Sequence, residues 1–355
     1  MSLEELRGEI DKADSQIVRL IAERIRIARE IGGEKKKQGQ QIEDIAREQI
    51  VLAKVRELAK AEAINQEDIE GIYRQIFNLS KSVEEISVAF QGERGAYSEE
   101  AAFNFFGPTT QAKPCESLND VFKAVEQDRV QFGIAAVENS IEGSISQTYD
   151  LLLDSSLKVC GEIELRIMHC LIGSTKTKLD SIKRVYSHPQ ALGQCQAFLN
   201  HLGCELVPTY DTAGSVKMLK EKEIIDSAAI ASSRAAEIYG MKIIAREIAD
   251  NPNNFTRFFI LAKQDSPPSG NDKTSVVFSV KHRPGALYEF LEKLASKNIN
   301  LTKIESRPTR QKAWEYNFYL DFEGHREGRA AQEVLKKLEE ISLFVKVLGS
   351  YPKAK

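Results

Sequence analysis

The sequence predicts a multidomain chain: an all-α segment, an α/β segment with two lobes, and an α+β segment of ferredoxin-like order. Three observations predict it. Through about the first 85 positions apolar residues step by three and four, the period of helices. From Ile86 onward, short β-rich runs alternate with helical patterns, the mark of an α/β fold. After a linker at Asp265–Asp272, rich in Pro and Ser, the order becomes βαββαβ.

The bulk numbers agree with several domains. The chain has 355 residues, 42% hydrophobic and 28% charged, a soluble globular composition too long for one ordinary core. A formal net charge of −3 argues against a nucleic-acid partner. No run of about 18 apolar residues exists, so no membrane span is expected. The N-terminus opens on an amphipathic helix carrying Glu4, Glu5 and Arg7, unlike a signal peptide. Cys115, Cys160, Cys170, Cys195 and Cys204 are odd in number and form no C-x-x-C, which reads as reduced thiols in a cytoplasmic protein. No Walker loop or dinucleotide fingerprint appears, since Gly92-Glu93-Arg94-Gly95 is too short. No metal or cofactor is expected.

In the first segment Leu3, Leu6, Ile10, Ala13, Ile17, Leu20, Ile27 and Ile31 form one long helical seam. A second helix carries Ile42, Ile45, Gln49, Leu52 and Val55, and a third carries Ile69, Ile72, Tyr73, Ile76 and Phe77 behind a cap at Asn65 and Asp68. Helices of such unequal length cannot enclose one another, so the long one is expected to pair with a second chain. Arg24 breaks the seam where an apolar residue belongs, and a buried guanidinium needs an anion. Ser80 and Glu84 continue the third helix's stripe as polar groups. Arg7, Lys35, Asp44, Arg47 and Glu48 complete a mixed-charge set. For any one of these a solvated surface is the simpler account; it suits Lys36 and Lys37 and does not suit Arg24.

In the second segment strands are expected at Ile86–Phe90, Phe132–Val137, Arg184–Ser187, Ala228–Ala231 and Arg257–Ala262. Polar clusters follow them: Glu138-Asn139-Ser140, Ser187-His188-Pro189-Gln190, Ser232-Ser233, and the loop Asn253-Asn254-Phe255-Thr256 at the mouth of the closing strand. Asp211-Thr212-Ala213-Gly214-Ser215 opens a helix in the same manner. Each alone is ordinary capping. Together they describe two lobes closing on a small anion beyond strand ends and at helix N-termini. In the third segment Arg283-Pro284-Gly285-Ala286-Leu287-Tyr288 starts a helix and Glu305-Ser306-Arg307-Pro308 ends a strand.

These motifs carry a resemblance. Gly95-Ala96-Tyr97-Ser98, Val137–Gly143, Ser187–Cys195, Asp211–Ser215 and Asn253–Phe258 resemble the signatures of prephenate dehydratases, whose fold is two-lobed and like a type 2 periplasmic binding protein. Residues 1–85 resemble the all-helical chorismate mutases, and 273–355 an ACT regulatory domain. The whole resembles the bifunctional chorismate mutase–prephenate dehydratases. The resemblance implies lobes at about 86–164 plus 247–264 and at 165–246 of an 86–264 domain. It implies Thr256 at the leaving hydroxyl of prephenate, with Asn139, Ser187 and Gln194 positioning the substrate. It implies Arg7 of a partner chain, Arg24 and Arg47 on the carboxylates of chorismate, since a guanidinium matches a carboxylate bidentately. Lys35 would donate to the ether oxygen, and Glu48 would accept the ring hydroxyl beside Asp44 and Ser80. Glu84 stands where the family commonly has Gln, and a carboxyl donates there only when protonated. Phenylalanine, as feedback effector, would bind at Gly285, Ala286, Leu287, Glu305, Ser306, Arg307 and Pro308 between two such domains, in a homodimer or dimer-based oligomer. His188 is expected to structure its loop. Two rivals remain at this point: a non-catalytic solute receptor, and a dehydratase whose helical domain only dimerises.

Overall fold

The computed structural model describes residues 2–37, 45–83, 86–280, 283–309 and 315–354, which divide into a helical unit and a larger unit of sheets and helices. The helical unit consists of α1 (Leu3–Lys37), α2 (Ile45–Ala61) and α3 (Gln66–Val83). Among the described residues Leu52, Val55 and Ala59 of α2 and Ile76 and Phe77 of α3 are buried. Asn65 caps α3, its side-chain oxygen accepting from the Glu67 amide at 2.8 Å. The seam of α1 is left outward: Leu3, Leu6, Ile10, Ile17, Leu20, Ile27 and Ile31 are between 43% and 67% exposed. A stripe of that kind calls for another apolar surface.

The larger unit begins with β1 (Ser87–Gln91), α4 (Tyr97–Phe106), β2 (Gln111–Cys115), α5 (Leu118–Glu126), β3 (Phe132–Asn139), β4 (Gly143–Ser144), α6 (Ser146–Asp154) and β5 (Lys158–Arg166). With β11 (Phe255–Ala262) they make the first lobe, in strand order β2-β1-β3-β11-β5 with β11 antiparallel to both neighbours. The second lobe holds β6 (Cys170–Gly173), β7 (Arg184–Ser187), α7 (Pro189–Gly193), α8 (Gln196–Leu202), β8 (Glu205–Pro208), α9 (Thr212–Glu221), β9 (Ser227–Ala231), α10 (Ser233–Tyr239) and β10 (Lys242–Ala245), in order β10-β6-β9-β7-β8. The chain crosses between lobes at 167–169 and returns through 246–254. The crossings touch: Ile167 N–H donates to the Asn254 carbonyl at 2.8 Å, and Ile248 N–H to that of His169 at 3.0 Å. β5 runs on to Arg166, beyond residue 164, because Leu165 and Arg166 pair with Thr256 and Phe255.

The last segment is β12 (Asp272–Val280), α11 (Ala286–Ser296), β13 (Leu301–Pro308), β14 (Tyr316–Glu323), α12 (Arg329–Ile341) and β15 (Ser342–Pro352), in sheet order β13-β14-β12-β15. Asp272, expected in the linker, is instead the buried first residue of β12, accepting from the Ser269 and Gly270 amides at 3.0 and 3.1 Å. This sheet packs on the first lobe. Val277, Tyr319, Leu348 and Tyr351 share one apolar cluster with Val159, Phe259 and Leu261. β15 approaches β5 so closely that a Cβ on Gly349 would lie 2.0 Å from the Val159 carbonyl oxygen. Only glycine fits that crossing.

Candidate active site

Adjacent residues of a strand point to opposite faces, and β11 uses this at Thr256 and Arg257. Thr256 lies opposite Asn139, the last residue of β3. Asn139 Nδ2 approaches Thr256 Oγ1 at 3.0 Å, Asn254 Oδ1 at 2.7 Å and the Phe255 carbonyl at 3.1 Å. An amide nitrogen only donates, so Thr256 accepts in this bond and keeps its own proton for another partner. Asn254 Nδ2 donates onward to Gln194 Oε1 at 2.8 Å, and Gln194 Oε1 also lies 3.0 Å from His169 Nε2. The Tyr97 hydroxyl closes the chain, 3.0 Å from His169 Nδ1 and 2.9 Å from the Met168 carbonyl. Asn139, His169, Gln194, Asn254 and Thr256 are all at most 9% exposed. Burial holds the His169 imidazole below its usual range, against the pull of the Gln194 bond.

The lobes meet again beside this chain. A Cβ on Gly95 (φ +90°) would lie 2.7 Å from the Ala235 Cα, and Ser232 Oγ donates to the Gly95 carbonyl at 2.6 Å. Buried Glu99 accepts from the Gly95 amide at 2.8 Å and pairs with Arg234 at 3.2 Å.

Arg257 points to the other face of the sheet, into the contact with the C-terminal segment. Its guanidinium lies 3.0 Å from Glu138, 3.3 Å from Glu162 and 2.9 Å from Asp321. Burial opposes its charge, but Asp321 and its neighbours raise its pKa overall. Lys273 reaches Glu162 at 2.7 Å, Lys303 reaches Glu138 at 2.8 Å, and Ser275 donates to Asp321 at 2.6 Å. Adjacent residues of one strand thus face the crevice and this ion cluster. No group of three or more His, Cys, Asp or Glu among the described residues is arranged to hold a metal ion. No helix among them is long and apolar enough to cross a membrane.

The family model for prephenate dehydratase matches residues 88–266, that for chorismate mutase type II residues 6–85, and that for the ACT domain residues 274–340. A curated bifunctional chorismate mutase/prephenate dehydratase of Aquifex aeolicus is 42% identical, over 99% of this chain and 98% of its own. This chain belongs to the bifunctional chorismate mutase/prephenate dehydratases. It is an enzyme with both activities, rearranging chorismate to prephenate and converting prephenate to phenylpyruvate. Among solved structures, a prephenate dehydratase of Arthrobacter aurescens in complex with L-Phe is 30% identical with a TM-score of 0.70, over 76% of this chain and 90% of that one. A protein described as a novel type of quorum-quenching acylase, GqqA, is 34% identical with a TM-score of 0.69, over 75% of this chain and 97% of that one.

Of the expected dehydratase residues, Asn139, Gln194 and Thr256 meet in one hydrogen-bonded chain. Ser187 stays outside it, fully buried, its hydroxyl donating to the Ile230 carbonyl at 2.7 Å. His188 is exposed and caps α7. Asp211 caps α9, accepting from the Gly214 amide at 2.6 Å, and burial raises its carboxyl against that bond. In the mutase domain Arg7 is exposed, and Arg24 is half-buried with its guanidinium 5.0 Å from the Phe77 ring centre. Lys35, Arg47, Glu48 and Ser80 fall within helices, their side chains outside the described ones. Asp44 and Glu84 lie outside the described residues.

In the ACT domain Gly285 takes a left-handed φ of +81° as the N-cap of α11, with Ala286 buried and Leu287 half-buried behind it. The pleat of edge strand β13 divides the other motif. Arg307 turns to Asp150 of the first lobe at 3.3 Å, and Glu305 lies 3.5 Å from Lys303, while Ser306 and Pro308 are exposed.

Sequence reasoning missed His169, the hydroxyl of Tyr97 and the bonding role of Asn254. Asn254 lay inside a recognised loop. For His169 the only signal was a lone polar ring between the apolar Ile167 and Leu171.

Proposed function

We propose that prephenate binds in the crevice between the lobes with its leaving hydroxyl at Thr256. The observation that carries this is the direction of the Asn139–Thr256 bond: Oγ1 accepts at 3.0 Å, so the Thr256 proton is available to the departing oxygen. Aromatisation drives the loss of water and CO2, so donation from a hydroxyl held in place is enough, without a strong acid. Gln194 and Asn139 position the substrate, and Ser187 holds the end of β7 beneath it. In the mutase site Arg7 of a partner chain, Arg24 and Arg47 grip the chorismate carboxylates, Lys35 and Glu84 face the ether oxygen, and Glu48, Asp44 and Ser80 surround the ring hydroxyl. The exposed α1 seam supports a homodimer or dimer-based oligomer, and the five free cysteines support a cytoplasmic location. We assign the domains as 1–85, 86–264 and 273–355.

Phenylalanine binds the ACT domain near Gly285–Leu287 and Glu305–Pro308 as a feedback inhibitor; the L-Phe complex of the Arthrobacter aurescens relative supports this ligand. The Arg257 cluster supplies a physical route, since moving β14 shifts Asp321, and Asp321 holds the residue next to Thr256. The direct test supplies chorismate to the purified chain and follows phenylpyruvate with and without phenylalanine. Formation of prephenate alone would remove the dehydratase assignment, and no turnover of chorismate would reduce the helical domain to a dimeriser.

A further inference from the structure

The amides and the imidazole of the crevice have one mutually consistent orientation. The Ile141 and Glu142 N–H groups can only donate, and both reach Asn139 Oδ1 at 3.0 Å. Asn139 Nδ2 therefore faces Asn254, which must turn Oδ1 toward it. Asn254 Nδ2 is left to donate to Gln194, so the atom it meets there is Oε1. His169 Nε2 meets the same oxygen at 3.0 Å and must carry a proton. Burial keeps the ring neutral, so Nδ1 is bare, and the single Tyr97 hydroxyl proton is shared between it at 3.0 Å and the Met168 carbonyl at 2.9 Å. Desolvation raises the Tyr97 phenol, which keeps the proton it donates. Two backbone amides of the first lobe thus set the tautomer of a histidine on the crossing to the second.

We propose that His169 is a positioning residue for prephenate dehydration: its Nε2–H holds the Gln194 carbonyl inward, so that the Gln194 amide N–H groups face the anionic substrate. The proposal rests on the reading of the Thr256 crevice as the dehydratase site. A carbonyl turned to that place would repel a carboxylate, whereas an amide N–H binds it with a charge-assisted hydrogen bond. His169 is suited to the task by where it stands. It sits on the 167–169 crossing and ties α4, through Tyr97, to the end of α7, through Gln194, so the donor is presented when the lobes are closed.

The test is steady-state dehydration of prephenate by the full chain and its variants. His169→Asn removes the Nε2 donor; His169→Gln places an amide N–H near where Nε2 stood. KM for prephenate should rise about ten- to a hundredfold in His169→Asn with kcat within about threefold of wild type, and His169→Gln should recover most of the loss. In a Gln194→Ala background His169→Asn should add less than about twofold, because the residue it acts through is gone. Unchanged KM in His169→Asn, an undiminished penalty in the Gln194→Ala background, or a Gln variant as poor as Asn would each overturn the proposal. The imidazole nitrogen resonances of the unsubstituted chain give a readout independent of mutant folding. A neutral His169 protonated on Nε2 at pH near 7 is expected, and protonation on Nδ1 overturns it. Thr256→Ala is run alongside: if it dehydrates prephenate at the wild-type rate, the site reading fails. If it does not, while His169→Asn is kinetically normal, only the role of His169 fails.

Discussion

The helical mutase domain and the dehydratase crevice treat their polar residues in opposite ways. In α1 the apolar seam is exposed and Arg24 sits half-buried over Phe77. In the crevice every polar member of the chain from His169 to Thr256 is buried and bonded. The difference follows the chemistry asked of each. A pericyclic rearrangement needs a charged container for a dianion, and such walls can come from two copies of a chain. Donation to a leaving hydroxyl needs one proton held at one place, which calls for rigid strands and a fully satisfied network within one chain.

The largest effect that sharpens this contrast is expected from Thr256→Ala, which should lower dehydration by about a hundredfold or more. Mutase activity, measured on the same preparation, should stay near wild type. Arg24→Ala should do the reverse. Loss of a charged contact to each bound chorismate should reduce the mutase rate by about ten- to a hundredfold, with prephenate dehydration unaffected. Parallel loss of both activities in either variant would break the division of labour.

Asp321→Asn tests the opposite face of β11. Arg257 keeps Glu138 and Glu162, so a stability loss of about 2 kcal/mol is expected in denaturant unfolding, together with weaker inhibition by phenylalanine. Full stability with undiminished inhibition would remove the ion cluster from the regulatory route.

Two pH predictions are smaller. The folded state lowers the His169 pKa below the unfolded value near 6.5. The unfolded chain therefore binds the extra proton, and the stability tied to this ring is complete above about pH 6.5 and lost as pH falls toward the folded value. Thermal unfolding of His169→Gln should accordingly depend less on pH than that of wild type between about pH 7.5 and about pH 5.5. With Glu84 at the ether oxygen as proposed, its carboxyl donates only when protonated, so activity should fall as pH rises through its ionisation in the complex. Glu84→Gln should flatten that profile and leave the dehydratase profile alone. Identical mutase profiles would place Glu84 outside the site.

Much of the architecture was legible in the sequence because it is local. The three-four period of α1, the Asn65 cap, the strands beginning at Phe132 and Arg184, and the βαββαβ order all arise from neighbours a few positions apart. Thr256, Asn139 and Gln194 could be singled out because each falls in a stretch that resembles a dehydratase signature. What each side chain does there was not legible. Ser187 stands in such a motif and yet turns its hydroxyl to Ile230; in the motif proposed for the effector, Arg307 turns to Asp150 of the first lobe and Glu305 lies beside Lys303.

The sequence by itself determined the helical, α/β and ferredoxin-like segments, their order, and the motif that carries Thr256. Only the tertiary structure decided that Asn139, 117 positions from Thr256, donates to its hydroxyl and leaves the Thr256 proton unused, that His169 stands behind Gln194, and that Arg257 reaches Asp321. The reason is physical. Periodicity and turn chemistry are properties of neighbouring residues, whereas the direction of a buried hydrogen bond depends on which donors remain unsatisfied once distant strands have packed.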